Sequence, residues 1–222
     1  MKMAGGSKPF GIDEELLPQI LSELPYDKII FKGFHIFAGS QNLKASAIID
    51  MHEKTFALAQ QLVSLTPVKI DYINIGGGLG IPYFPGEQRL ILDDISTNLT
   101  SLIKQYNEAL TDIDIIMELG RYLVGEAGVY VSKVVDKKTS RGTTYLICDG
   151  GLHHHLSNSG NFGQVIRKNY PVAIGNRLTV DDDDKNELVN IVGPLCTPLD
   201  ILADKVKLPA SNIGDYVVVY QS

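Results

Sequence analysis

The apolar residues between Phe31 and Leu119 switch repeatedly between a two-residue and a three-to-four-residue spacing, and this alternation constrains the fold more than any other feature. Phe31 to Phe37 (FKGFHIF) is a strand-like run that ends at the turn-like Ala38-Gly39-Ser40. From Leu43 to Leu65, residues Ala47, Ile48, Met51, Phe56, Leu58, Ala59 and Leu62 recur mostly at three- and four-residue steps, which predicts an amphipathic helix. Ile70 to Ile75 (IDYINI) reads as a second, buried strand. Leu92 to Leu110 reads as a second helix, with Ile95, Leu99, Leu102, Ile103 and Tyr106 on one face, and Ile113 to Leu119 (IDIIMEL) as a third strand. Strand, helix, strand, helix, strand is the pattern of a parallel sheet or a βα barrel.

After Gly125 the rhythm changes. Val129 to Val135 and Thr143 to Cys148 are β-rich and are separated by the polar stretch Asp136 to Gly142, so a hairpin is expected. Further β-like runs at Leu188 to Val192 and Tyr216 to Tyr220, with room for only a short helix at Pro198 to Leu202, predict a second, mostly antiparallel module. The expected boundary lies near residues 122–128, giving domains of 1–125 and 126–222. Hydrophobic residues make up 44% of the chain, enough for a real core. The net charge of −6 argues against a general affinity for nucleic acid or anionic membrane, and no apolar run approaches the roughly 18 residues of a membrane span. Cys148 and Cys196 form no short-spaced motif and Met1 opens no signal-peptide pattern, so a disulfide scaffold is not expected and a cytoplasmic location is. The carboxylate run Asp181 to Asp184 reads as a solvated loop.

Four places carry chemistry. Gly76-Gly77-Gly78 directly follows a predicted strand, where bare backbone lets amides converge on an anion. A phosphate site is one reading; a tight βα turn requiring positive φ is the other. It is no dinucleotide fingerprint, because the glycine spacing fails and Pro82 and Pro85 stop a helix from starting at once. Glu118-Leu119-Gly120-Arg121 sets a carboxylate and a guanidinium at the next strand end, the active-site end of a βα barrel, although the two side chains alone would also suit a structural ion pair. His35 and Ser40 flank the first strand end, where a lone histidine is more commonly a hydrogen-bonded core residue. Adjacent residues on a strand face opposite ways, so His153-His154-His155 is not expected to bind metal. In Gly193-Pro194-Leu195-Cys196-Thr197-Pro198-Leu199-Asp200, Gly and Pro fix a cysteine on a loop; a buried structural thiol is the alternative.

Taken in order, Gly76-Gly77-Gly78, Glu118-x-Gly120-Arg121, Asp149-Gly150-Gly151 and Gly193-Pro194-x-Cys196-x-x-x-Asp200 resemble the fold type III pyridoxal-phosphate decarboxylases, the group of diaminopimelate and ornithine decarboxylases. The segments Gly33 to Gln41, Gly151 to Pro171 and Gly193 to Asp200 look most like the bacterial branch associated with exosortase and exopolysaccharide systems. The resemblance implies an α/β fold: part of a (β/α)8 TIM barrel followed by a mostly antiparallel β domain. It implies pyridoxal 5'-phosphate as cofactor, with Gly76, Gly77, Gly78, Arg121 and Ser40 at the phosphate, Gly120 also in the cofactor site, Phe37 against the ring and Glu118 paired with the pyridine nitrogen. Cys196 would act as proton donor from the other subunit of a homodimer. His35, Asp149 and Thr197 are candidates for substrate contact, and no metal is implied.

The resemblance has departures. Phe37 stands where the family stacks a histidine on the cofactor, and Leu119 replaces the proline of a Glu-Pro-Gly-Arg motif. Gly150 and Thr197 stand where ornithine decarboxylases carry acidic residues, which argues against ornithine. The lysine that bonds the cofactor, on the family's first barrel strand, would precede this chain, and a C-terminal tyrosine would follow it. Lys2 and Lys8 match no such motif. The expectation is therefore a fragment inactive on its own, belonging to a decarboxylase of an amino acid or carrier-linked derivative. A non-catalytic cofactor-binding or scaffold fragment is the alternative.

Overall fold

The computed structural model describes residues 6–160, 167–178 and 186–222. The Asp181 to Asp184 run lies outside them. Two compact units are present, one made of residues 1–81 with 88–123 and one of residues 82–87 with 124–222.

The first unit begins with a short helix, α1 (Leu17–Glu23), which the sequence reading missed, and continues with β1 (Gly33–His35), α2 (Ala45–Leu65), β2 (Tyr72–Gly77), α3 (Asp93–Gln105), β3 (Asp114–Glu118) and α4 (Gly120–Val124). The three strands pair in parallel in the order β1-β2-β3. Alternation along the strands separates two faces. Phe34, Ile73 and Ile75, with Ile115 and Met117, pack against Phe56, Ala59 and Leu62 of α2 and Leu102 of α3. His35, Asn74 and Glu118 occupy the alternate positions and therefore the other face. Strand one is shorter than the run Phe31 to Phe37, and Ile103 is exposed rather than on the buried face of α3. Among the described residues the parallel sheet has three strands and does not close into an eight-stranded barrel.

The second unit holds a six-stranded sheet in the order β6-β9-β4-β5-β7-β8, from β4 (Val129–Ser140), β5 (Thr143–Cys148), β6 (Val172–Ile174), β7 (Asn186–Val192), β8 (Ile201–Pro209) and β9 (Tyr216–Tyr220). All pairs are antiparallel except β5 with β7. The core is Val134, Leu146, Cys148, Ile174, Val189, Ile191, Leu202, Val217 and Val219. The hairpin is tighter than the stretch Asp136 to Gly142 implied: β4 runs on to Ser140, and Arg141 and Gly142, at φ 50° and 83°, make the two-residue turn that matches strand twist. No helix forms at Pro198 to Leu202, because Ile201 already pairs with Val192 as the start of β8. Among the described residues no helix is long and apolar enough to cross a membrane.

Candidate functional site

Each glycine of the Gly76 to Gly78 run is closed to a side chain for its own reason. Gly76 and Gly78 have φ of 71° and 95°, and an added Cβ would lie 2.6 Å from the Phe37 ring and 2.4 Å from the Gly39 carbonyl oxygen, respectively. At Gly77 it would lie 1.8 Å from the Glu118 carbonyl oxygen of the neighbouring strand. The positive φ at Gly76 also accompanies a register shift between Asn74 and Gly77, a bulge that ends regular pairing at the strand tip. Close packing and positive φ together thus require the run, beyond what a simple turn needs.

Around this tip a cavity of about 170 Å³ opens, bordered by Phe37, Ser40, Gly78, Glu118, Gly120 and Arg121, with Gln41, Leu79 and Leu119 completing the wall. The structure therefore gathers six residues singled out in the sequence into one space, with Gly76 and Gly77 beside it. On the strand face the Glu118 carboxylate is held at both oxygens. Asn74 Nδ2 donates to Oε1 at 2.8 Å, and His35 Nε2 lies 3.2 Å from Oε2. Both ends of the His35–Glu118 pair are about half exposed, so their attraction is screened and weak. Asn74 Oδ1 meanwhile accepts the Gly76 N–H at 2.8 Å, tying the glycine run to the carboxylate. The Arg121 guanidinium donates to Gln41 Oε1 at 3.3 Å, and Gln41 also bonds Ile81 through both its amide oxygen and nitrogen.

Asn74 and Gln41 were not singled out from sequence. Asn74 had a signal, since it lies between Ile73 and Ile75 and must face away from the helices with Glu118. Gln41 had none, because its contacts run 40 and 80 residues along the chain.

Asp149, Cys196 and Thr197 belong to the second unit. Asp149 Oδ1 accepts the Lys133 N–H at 2.8 Å and the Ser132 hydroxyl at 2.9 Å, and these bonds hold its carboxyl below the usual range. Cys196 is exposed on the loop joining β7 to β8; the buried structural thiol is Cys148, which burial pushes up to about 12. Thr197 sits in the same loop, its N–H on Leu195 O and its Oγ1 accepting from Leu199 N. His153 and His154 lie on a turn rather than a strand, with ring centroids 3.9 Å apart, while His155 turns to the Ser222 hydroxyl. Among the described residues no group of three or more His, Cys, Asp or Glu is placed to hold a metal ion.

The fold is shared with solved structures. The crystal structure of AQ1208 from Aquifex aeolicus superposes with a TM-score of 0.75 at 26% identity, covering 96% of this chain and 49% of that one. The family "Pyridoxal-dependent decarboxylase, C-terminal sheet domain" matches residues 24–222, and the chain belongs to it. Its members use pyridoxal 5'-phosphate to decarboxylate amino acids or their derivatives. The L-glutamyl-[BtrI acyl-carrier protein] decarboxylase of Niallia circulans is 36% identical over 229 residues, covering 100% of this chain and 52% of the relative. The 2-[(L-alanin-3-ylcarbamoyl)methyl]-2-hydroxybutanedioate decarboxylase of Staphylococcus aureus is 28% identical, covering 98% and 54%. The chain thus spans about half the length of the relatives it matches.

Proposed function

We propose that this chain supplies cofactor-binding and catalytic residues to a pyridoxal-phosphate-dependent decarboxylase acting on an amino acid or a carrier-linked derivative. The observation that carries this reading is the cavity in which Arg121, Ser40 and the glycine backbone meet the Glu118 carboxylate and the Phe37 ring. That donor set suits pyridoxal phosphate: cation, hydroxyl and bare backbone for its phosphate, a carboxylate for its pyridine nitrogen and an aromatic ring for its flat face. When bound, the cofactor supplies the electron sink for the electron pair left by CO₂ loss. Glu118 keeps a proton at the pyridine nitrogen, and Asn74 orients its carboxylate. Phe37 packs on the ring, where it can exclude water but cannot hydrogen-bond.

In this reading β1 to β3 are strands of a (β/α)8 barrel, and the enzyme is a cytoplasmic homodimer. Cys196 of one copy delivers a proton to the substrate carbon in the other. The similarity to the glutamyl-carrier decarboxylase favours a carrier-linked amino acid, consistent with a role beside exopolysaccharide or exosortase systems. The test is titration of the chain with pyridoxal phosphate, followed by absorbance, together with CO₂ release by a form extended through the barrel strands of its relatives. Arg121→Ala should weaken binding about tenfold or more, as expected for a lost charge-assisted bond to phosphate. Glu118→Gln should retain the cofactor but lose most turnover. Equal binding by Arg121→Ala, or full turnover by Glu118→Gln, would overturn the assignment.

A further inference from the structure

Asp200 is a charged side chain only 2% exposed, closing a loop that carries an exposed cysteine. Its backbone oxygen accepts the Gly193 N–H at 2.9 Å, which shuts the eight-residue connection between β7 and β8. Its carboxylate then works in two directions. Oδ2 accepts the Leu195 N–H at 2.9 Å, inside the loop and one residue before Cys196. Oδ1 accepts the Leu152 N–H at 2.6 Å, from the turn that follows Asp149-Gly150-Gly151. The carboxylate reaches both amides only because two glycines leave room for it. A Cβ on Gly151 would lie 2.2 Å from Oδ1, and one on Gly193 would lie 2.3 Å from Oδ2. A buried carboxylate that accepts two backbone N–H bonds is rigidly held, since bonds to a carboxylate are stronger than neutral ones.

We propose that Asp200 is a positioning residue for Cys196: its carboxylate, seated between Gly151 and Gly193, locks the 193–200 loop to the 149–152 turn and so sets where the thiol stands. The functional meaning rests on the proton-donor role proposed for Cys196, but the clamp is testable without it. The spacing Gly-Pro-x-Cys-x-x-x-Asp then has a physical content. The glycine admits the carboxylate, the aspartate returns to cap the residue before the cysteine, and the thiol is displayed on the loop so closed.

The experiment measures the rate of Cys196 alkylation by iodoacetamide across pH, with amide hydrogen exchange at Leu152 and Leu195, on the cofactor-free chain. Cys148 is buried and serves as the unreactive internal reference. In Asp200→Asn, the Leu152 and Leu195 amides should lose about tenfold or more of their protection together. The Cys196 alkylation profile should move toward that of a cysteine in an unstructured peptide measured alongside. Gly151→Ala and Gly193→Ala should move the profile in the same sense by displacing the carboxylate. Gly151→Ala is the more telling, because it lies 45 residues from the cysteine in sequence. Gly175→Ala is the control: its Cβ would crowd Val218 at 2.6 Å in the same sheet, so it should lower stability and leave the profile alone. An unchanged profile in Asp200→Asn, or the same change in Gly175→Ala, would overturn the proposal, even if the amides lose protection. Full turnover by Cys196→Ala in the extended enzyme would instead remove the proton-donor role and leave the clamp standing.

Discussion

Gly78→Ala and Gly86→Ala form a pair that separates backbone strain from crowding at the proposed phosphate site. Their φ angles are +95° and +89°, so alanine suffers nearly the same left-handed penalty at both, about 1–2 kcal/mol. The surroundings differ. At Gly86 an added Cβ meets nothing within 4 Å, whereas at Gly78 it lies 2.4 Å from the Gly39 carbonyl oxygen. Ordinary contact begins at 3.4 Å, so the Gly39–Ser40 backbone must retreat by about 1 Å. Overpacking of that kind costs about 1–3 kcal/mol. Gly86→Ala should therefore lose about 1–2 kcal/mol and Gly78→Ala about 2–5 kcal/mol. Moving Ser40 by ~1 Å also displaces a wall of the cavity, a misplacement large enough to reduce binding about tenfold or more. Urea melts followed by circular dichroism measure the first quantity and pyridoxal phosphate titration the second. Equal stability losses in the two variants, with unimpaired binding in Gly78→Ala, would show that Gly78 needs only positive φ and that the close approach to Gly39 is not sensed.

Two further outcomes are expected. Burial lowers the proton affinity of His52, fully buried on α2 with neither ring nitrogen partnered, so above pH ~6.5 it is neutral folded or unfolded and contributes no pH dependence. As pH falls below ~6.5 the unfolded chain takes up a proton first and stability declines, by up to about 1.4 kcal/mol per pH unit. His52→Leu should flatten part of that acid slope in urea melts between pH 7 and 5, the remainder belonging to His155, which burial shifts the same way; an unchanged slope would refute it. Asn74→Asp keeps an acceptor for Gly76 N–H but sets a second carboxylate against Glu118, so pyridoxal phosphate binding should weaken as pH rises through the carboxylate range, and a pH profile identical to wild type would count against the Asn74 bridge.

What the sequence made legible follows from which physical signals are local. The helices α2 and α3 and the strands β2 and β3 could be read because most of their apolar residues keep one period. β8 could not: Leu202 and Ala203 are buried side by side, Lys205 takes a φ of 50°, and the register slips twice against β7, so no single alternation survives. His52 is invisible for a related reason, since a polar residue on a helix's buried face looks the same in sequence as one on its solvent face. At the site, the positions of Gly76 to Gly78, Glu118 and Arg121 at strand ends followed from the βα rhythm. The support of Glu118 did not, because Asn74 reaches it across 44 residues; in the second unit Asp200 stood in the cysteine motif, but its bond to Leu152 spans 48 residues. The chemical groups are thus announced by local pattern, while the atoms that aim them are supplied from distant parts of the chain. A variant that spares every group at the cavity but breaks Asn74 should for that reason keep the fold's outline and lose the orientation of the carboxylate, and one that breaks Asp200, the last residue of the cysteine motif, should do the same to the thiol.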